Sequence, residues 1–325
     1  MIFFYACLFI LSFGMTYFVR YFALKKSLLA IPNERSSHTI PTPHGGGIAI
    51  SICWFLGLIY LFMHETIDFS LFYALMIGSA LSFVSYLDDL YDISPKTRLL
   101  IQALISLLGL YLLGGLSKID FGFFVIENQW MTNLLAFLGL MWFINLYNFL
   151  DGIDGYAGSE AIFLAVAGWL LFGGDYFLVL ISSVLGFLIW NWHKAKIFMG
   201  DVGSTLLGYS IGIFAIYHQN NGVSIFVWLI LFGIFWFDAT LTLYRRYQNK
   251  EKLSHAHRKH AYQRLVQSGW SHSKVVIYAL GVNLVLAILG YSSLLNDASL
   301  VGSFIVMLGI LYGVTKMVDR RKKFE

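Results

Sequence analysis

The sequence predicts an all-α polytopic membrane protein with about eleven transmembrane helices, its N-terminus periplasmic and its C-terminus cytoplasmic. Three observations carry that expectation. Of 325 residues, 58% are hydrophobic and 12% charged, about half the charge of an average soluble domain and too little to coat a globule in water. The apolar residues fall in runs of about 20, the length that crosses a bilayer. Lys and Arg collect in alternate loops, the bias that sets orientation. Cys7 and Cys53 both lie inside apolar runs, so the chain has neither a disulfide framework nor a zinc spacing.

The eleven runs are 2–23, 45–63, 69–87, 98–114, 130–148, 156–173, 176–192, 202–217, 223–244, 274–292 and 299–317. The first has no basic stretch before it and no small-residue cleavage site, so it reads as a membrane helix rather than a removable signal. With the N-terminus outside, 21 of the 22 Lys and Arg residues fall on the inner side, and Lys118 alone is outside. A wrong span count would scramble that sorting, so count and orientation support each other. The outer loops His64–Asp68, Gly173–Asp175, His218–Gly222 and Leu295–Ala298 are short and plain. Residues 119–126, within the longer loop 114–129, read as a small hairpin. Residues 1–325 form a single transmembrane domain, with cytoplasmic loops near 24–44, 88–97, 149–155, 193–201 and 245–273.

Those inner loops hold nearly all the polar chemistry. In the first, three prolines and the run Gly45-Gly46-Gly47 make either a stiff juxtamembrane turn or a surface that a ligand approaches closely. The second, Asp88-Asp89-Leu90-Tyr91-Asp92, repels itself and suits a divalent cation or an acid held as a base. Lys96 and Arg98 follow, placed for a lipid phosphate. In the third, Asn145, Asn148, Asp151 and Asp154 recur every three residues, a slowly precessing stripe on a helix. Oxygen donors there suit Mg2+, ribose hydroxyls or a base edge, and polar groups at this depth are costly.

The fourth loop places Asp201 and Ser204 where a span begins, as a phosphate site or a simple cap. The fifth packs His255, His257, Arg258, Lys259, His260 and Arg264 into a short basic segment. It reads as an anion trap or as a polybasic stretch on anionic lipid. Asp238, within the ninth span, is expected to pair with a basic residue near the inner interface. Carboxylates, basic groups and membrane burial together imply Mg2+, a diphosphate and a lipid substrate, and so a phosphoryl transfer.

These segments resemble the polyprenyl-phosphate N-acetylhexosamine-1-phosphate transferase family, glycosyltransferase family 4. The resemblance rests on Pro-Asn-x-Arg-Ser-x-His with the glycines at 32–47, Leu-Asp-Asp-Leu-Tyr-Asp at 87–92 and Asn-x-x-Asn-x-x-Asp-Gly-x-Asp-Gly at 145–155. Phe-Met-Gly-Asp-x-Gly-Ser at 198–204 and His-Arg-x-His-x-Tyr-Gln at 257–263 complete it. It implies direct attack of a polyprenyl (undecaprenyl) phosphate on a UDP-N-acetylhexosamine, releasing UMP.

The resemblance also implies roles by position. Asp88 and Asp89 would be catalytic, and Asp201 and Asn148 would hold Mg2+, with Mn2+ an alternative. Asn145, Asp151, Asp154 and Phe198 would bind the nucleoside. His255, His257, Arg258 and His260 would bind the diphosphate and sugar, and Lys96 and Arg98 the lipid phosphate. The implied setting is the cell inner membrane, with membrane lipid as partner, no nucleic acid and a homodimer left open. Where one branch of the family carries an uninterrupted His-His-His run, this chain has His255-Ala256-His257. That favours the branch that starts surface glycans such as O-antigen over the phospho-N-acetylmuramoyl-pentapeptide transferases of peptidoglycan synthesis. A cation-coupled transporter would bury its acids near mid-membrane, and here only Glu160 and Asp238 lie within spans, while the other acids crowd the boundaries.

Overall fold

In lipid a spanning segment must satisfy its own backbone N–H and C=O groups, which favours helices. The computed structural model of the chain is accordingly helical throughout its apolar runs. It describes residues 1–26, 28–31, 37–38, 40–91, 93–253, 255 and 257–324. Residues 32–36 of the first motif and Asp92 lie outside the described residues.

The helices are α1 (Ile2–Lys25), α2 (Gly47–Met63), α3 (Phe69–Met76), α4 (Gly78–Tyr91), α5 (Pro95–Leu112), α6 (Gln129–Leu150) and α7 (Tyr156–Phe172). They continue as α8 (Asp175–Asn191), α9 (Asp201–Asn220), α10 (Ile225–Leu231), α11 (Gly233–Gln248), α12 (Ala261–Gln267), α13 (His272–Ser292) and α14 (Asp297–Arg321). Two short antiparallel pairs qualify the all-α expectation. Strand β1 (Leu29–Ala30) pairs with β2 (Thr42–Pro43), and β3 (Ile119–Asp120) pairs with β4 (Val125–Ile126) as the hairpin expected there.

By length and composition the chain is a polytopic membrane protein with fewer clear spans than the eleven runs. Five described helices qualify alone: α1, Phe69–Asp89 taken through the short break at Ile77, α6, α13 and α14. The run 223–244 is not one straight helix. It bends by 82° between α10 and α11, and counts as a sixth span only if the bent pair is one. Helices α2, α7 and α8 are apolar but have 17 residues each, about 26 Å at 1.5 Å per residue, short of a hydrocarbon core of roughly 30 Å.

Packing follows lipid rather than water. In α1 the fully buried side chains include Ser12 and Thr16, while Ile10 and Phe18 are exposed. The Ser12 hydroxyl donates to the Ser183 carbonyl of α8. Small and polar residues thus face neighbouring helices and large apolar ones face outward, as expected where lipid is the solvent. Helix α9 is the buried centre, packed by α2, α4 and α6. Gly47 of α2 meets Gly203 of α9 so closely that a Cβ on Gly47 would lie 2.2 Å from the Gly203 nitrogen. That approach, with Gly46 N–H to Phe198 O (2.9 Å) and Gly47 N–H to Met199 O (2.8 Å), ties the first inner loop to the fourth.

Candidate active site

The ends of α4 and α6 and the starts of α5 and α9 bring the predicted polar residues together. Ser94 caps α5, its Oγ accepting from the Thr97 N–H at 3.2 Å, and Pro95 opens the helix. That places Arg98 one turn inside, facing the last turn of α4. Its guanidinium bonds Asp88 and stands 3.1 Å from Asp201. The charge of Asp89 acts on Arg98 as well, and His44 Nδ1 lies 3.9 Å from Asp89. Asp201 is the first residue of α9, after Gly200 at φ 75°, a left-handed conformation that favours glycine. Asn148 lies against the Asp201 carboxylate, and its Oδ1 accepts from the Ser204 hydroxyl at 2.7 Å. Three carboxylates on one guanidinium leave a surplus of negative charge and oxygen donors. That set fits a hard divalent cation such as Mg2+.

Helix α6 ends at Leu150 and Asp151 is its C-cap. Burial, with the nearby charge of Asp201, raises the Asp151 carboxyl to about 7. Below this group opens a cleft of about 730 Å³, within the usual size range of ligand pockets. Arg98, Asn145, His255, His257, His260 and Gln263 form its polar walls, and Leu138, Trp142, Phe149 and Leu243 contribute apolar ones. Asn145 donates to Gln102 Oε1 at 2.9 Å. Burial, reinforced by the charges of His260 and Arg246, holds the His257 imidazole down to about 4. It is neutral at pH 7, and because its Nδ1 accepts the Lys259 N–H at 3.3 Å, its Nε2 carries the proton and is the donor. Asp238, for which a basic partner was expected, has the His260 ring as that partner at 3.7 Å and also receives the Ala261 N–H on both oxygens at 2.8 and 2.9 Å. It caps α12, because the first N–H groups of a helix need an acceptor.

A second cavity, of about 220 Å³, lies on the other side of the turn 151–155 and is lined by Asp154, His38, His193, His272 and Phe198 among others. Asp154 Oδ2 lies 2.9 Å from His193 Nδ1, 3.2 Å from His272 Nδ1 and 3.2 Å from the Ala195 N–H. His38 Nδ1 is 3.3 Å from Oδ1. Burial would raise the Asp154 carboxyl, but hydrogen bonds from His272 and His193 and the charges of His272 and His38 outweigh it and hold it near 2. His38 leans on the Phe198 ring at 4.2 Å. Ligand atoms of His38, Asp154 and His272 lie within 4.8 Å of one another. That nitrogen-rich set suits borderline metals better than Mg2+.

The structure therefore divides residues that the family likeness grouped. Asn145 faces the large cleft, Asp151 the carboxylates, and Asp154 and Phe198 the second cavity. The stripe at 145, 148, 151 and 154 stops being one face because the helix stops at Leu150. Arg98, assigned to lipid phosphate, is turned onto Asp88 and Asp201, while Lys96 is exposed at the start of α5. Arg258 lies in the loop beside the cleft, its carbonyl accepting from Gln267 Nε2 at 2.7 Å. His44, His193 and His272 carried no assigned role in the sequence. Their one signal is an imidazole at a span boundary.

The family model described as glycosyl transferase family 4 matches residues 71–219. A probable undecaprenyl-phosphate N-acetylglucosaminyl 1-phosphate transferase of Bacillus subtilis is 31% identical over 95% of this chain and 90% of its own length. An undecaprenyl-phosphate alpha-N-acetylglucosaminyl 1-phosphate transferase of Escherichia coli is 29% identical over 84% of this chain and 78% of its own. A decaprenyl-phosphate N-acetylglucosaminephosphotransferase of Mycobacterium tuberculosis is 27% identical over 81% and 76%.

Proposed function

We propose, from the premise that the chain belongs to glycosyl transferase family 4, that it transfers N-acetylglucosamine-1-phosphate from UDP-N-acetylglucosamine to undecaprenyl phosphate and so initiates a cell-surface glycan. The observation that carries this reading is the position of Arg98. It is shared by Asp88 and Asp201 and also lines a cleft whose other polar wall carries His255, His257 and His260. Acids for a cation and cationic groups for a diphosphate thus border one space with apolar walls.

In this reading an oxygen of the lipid phosphate attacks the β-phosphorus, the bond from that phosphorus to the oxygen bridging α and β breaks, and UMP leaves. Asp88 orients the acceptor phosphate and takes its proton when it carries one, with Asp89 beside it. His255, His257, Arg258 and His260 hold the diphosphate and sugar. Lys96 and Arg98 meet the lipid phosphate, and the apolar wall at Leu138, Trp142 and Leu243 takes the first isoprene units. Asp154 and Phe198 bind the base in the second cavity, with Asp151 and Asn145 toward the ribose and phosphates. Asp201 and Asn148 would hold Mg2+, or Mn2+, which when bound neutralises charge on the diphosphate. The inner-membrane site faces the cytoplasm and the fold crosses about eleven times, as the sorting of Lys and Arg supports.

The test supplies radiolabelled UDP-N-acetylglucosamine, undecaprenyl phosphate and Mg2+ to the purified protein. Label passing into the organic phase, with UMP released in equal amount, is the expected result. Label that stays aqueous refutes the reading.

A further inference from the structure

The histidine-bearing segment leaves α11 and returns at α12, and one carboxylate from a third helix fastens both ends. Asp319, in the last turn of α14, takes Arg245 in two parallel bonds of 3.0 Å and Arg264 in one of 2.7 Å. Arg245 is in the last turn of α11 and Arg264 in the last turn of the seven-residue α12 that follows the loop, so Asp319 ties together the two helices that flank the loop. Arg264 is buried and also donates to the Lys322 carbonyl at 2.9 Å. The Phe324 ring just beyond α14 has Arg245 and Arg264 at 5.3 Å and Lys259 at 5.6 Å, within cation–π reach.

A second hub lies inside the loop. Arg246, with 1% exposure, donates to the carbonyls of Lys252 at 2.7 Å, His255 at 3.0 Å and Leu253 at 3.3 Å, and to Glu251 at 3.0 Å. The other oxygen of Glu251 takes Lys259 at 2.8 Å. The backbone that carries His255 is wrapped on one guanidinium. Neither Arg246 nor Asp319 lines the cleft.

We propose that Asp319 and Arg246 are positioning residues for the transfer, through which the carboxy-terminal end of the chain sets the affinity for the nucleotide diphosphate. The inference rests on the reading that His255, His257 and His260 meet that diphosphate. A segment fastened at base and centre has its ordering entropy paid in advance, and releasing it charges that cost to binding. Contacts made alike in ground and transition state change KM and leave kcat in place.

The experiment uses the full chain with undecaprenyl phosphate. Asp319→Asn is expected to raise KM for UDP-N-acetylglucosamine about tenfold, with kcat and the KM for the lipid within about twofold. Asp319→Glu should recover most of the loss. Phe324→Leu, which leaves the ion pairs intact, should shift the same constant about threefold. Amide exchange in 251–260 should quicken in Asp319→Asn while α6 and α9 keep their protection. An unshifted nucleotide KM in both Asp319→Asn and Phe324→Leu overturns the inference, as does an equal rise in both KM values. An inactive wild-type protein instead overturns the transferase reading, so the two failures are distinct.

Discussion

Arg98→Gln should tighten Mg2+ binding while slowing transfer. The guanidinium stands 3.1 Å from Asp201 and bonds Asp88 as well. One such pair has a gross attraction of about 5 kcal/mol at an effective dielectric near 20. The Arg98 side chain is 38% exposed, and hydration together with the cost of desolvating the carboxylates brings the net to about 1.5 kcal/mol. A divalent cation approaching Asp201 has to displace that interaction. Without it, Mg2+ should bind roughly tenfold more tightly, since about 1.4 kcal/mol is one decade. Transfer should move the other way, because the same side chain lines the cleft to which the proposed function brings the lipid phosphate. Calorimetric titration of Mg2+ into nucleotide-free variant and wild-type protein reads the first effect, and the two-phase assay reads the second. Unchanged or weaker Mg2+ binding in the variant would refute the reasoning, because Arg98 would then not compete for Asp201.

Three further outcomes follow from the same geometry. Asp201→Asn should reduce Mg2+-dependent transfer at least about a thousandfold with the melting temperature retained, and near-normal turnover would remove Asp201 from the metal set. Gly47→Val forces a side chain against the Gly203 backbone, where even a Cβ has 2.2 Å. The overpacking costs about 1–3 kcal/mol, read as a lower melting temperature in detergent, and an unchanged one would mean that α2 and α9 are not so closely apposed. Burial holds His38 near 4 against the pull of Asp154, and His257 sits near 4 for its own reasons. Since both folded values lie below the unfolded 6.5, the unfolded chain takes protons first as pH falls. Stability should therefore drop between about pH 6.5 and pH 4 and level off below, as far as these two groups govern it. His38→Asn should flatten part of that slope in thermal melts across the window, and an unaltered slope would show that His38 does not contribute.

What was legible in the sequence was whatever the bilayer makes expensive. Asp88, Asp89, Asn148 and Asp201 stand out because polar groups beside apolar runs need a reason to be there, and the structure does bring them to one place. The breaks in the runs were harder to read. Ile77 and Phe232 interrupt their helices, and each is followed by a glycine, Gly78 or Gly233. A chain with 30 glycines offers no local means of telling these two from the rest. The stripe from Asn145 to Asp154 was read as one surface because period-three spacing assumes a helix that continues. The convergence of His38, His193 and His272 on Asp154 had no local signal, since the four come from separate loops and meet only through tertiary packing.

That convergence bears on how a nucleotide sugar is divided between the two cavities. Mg2+ takes oxygen ligands, so on the proposed function the set around Asp201 would outcompete the imidazole-rich set around Asp154 for it. On the same proposal the diphosphate would lie at the carboxylates and the base beside Phe198. Asp151 faces the first cluster and Asp154 the second, so on that reading the three-residue step of the turn between them would link the phosphate end of the ligand to its base end. Lengthening that turn by one glycine after Gly152 should weaken binding of the intact nucleotide sugar while leaving Mg2+ binding nearly unchanged. If calorimetry showed both falling together, the two cavities would not be serving two ends of one ligand.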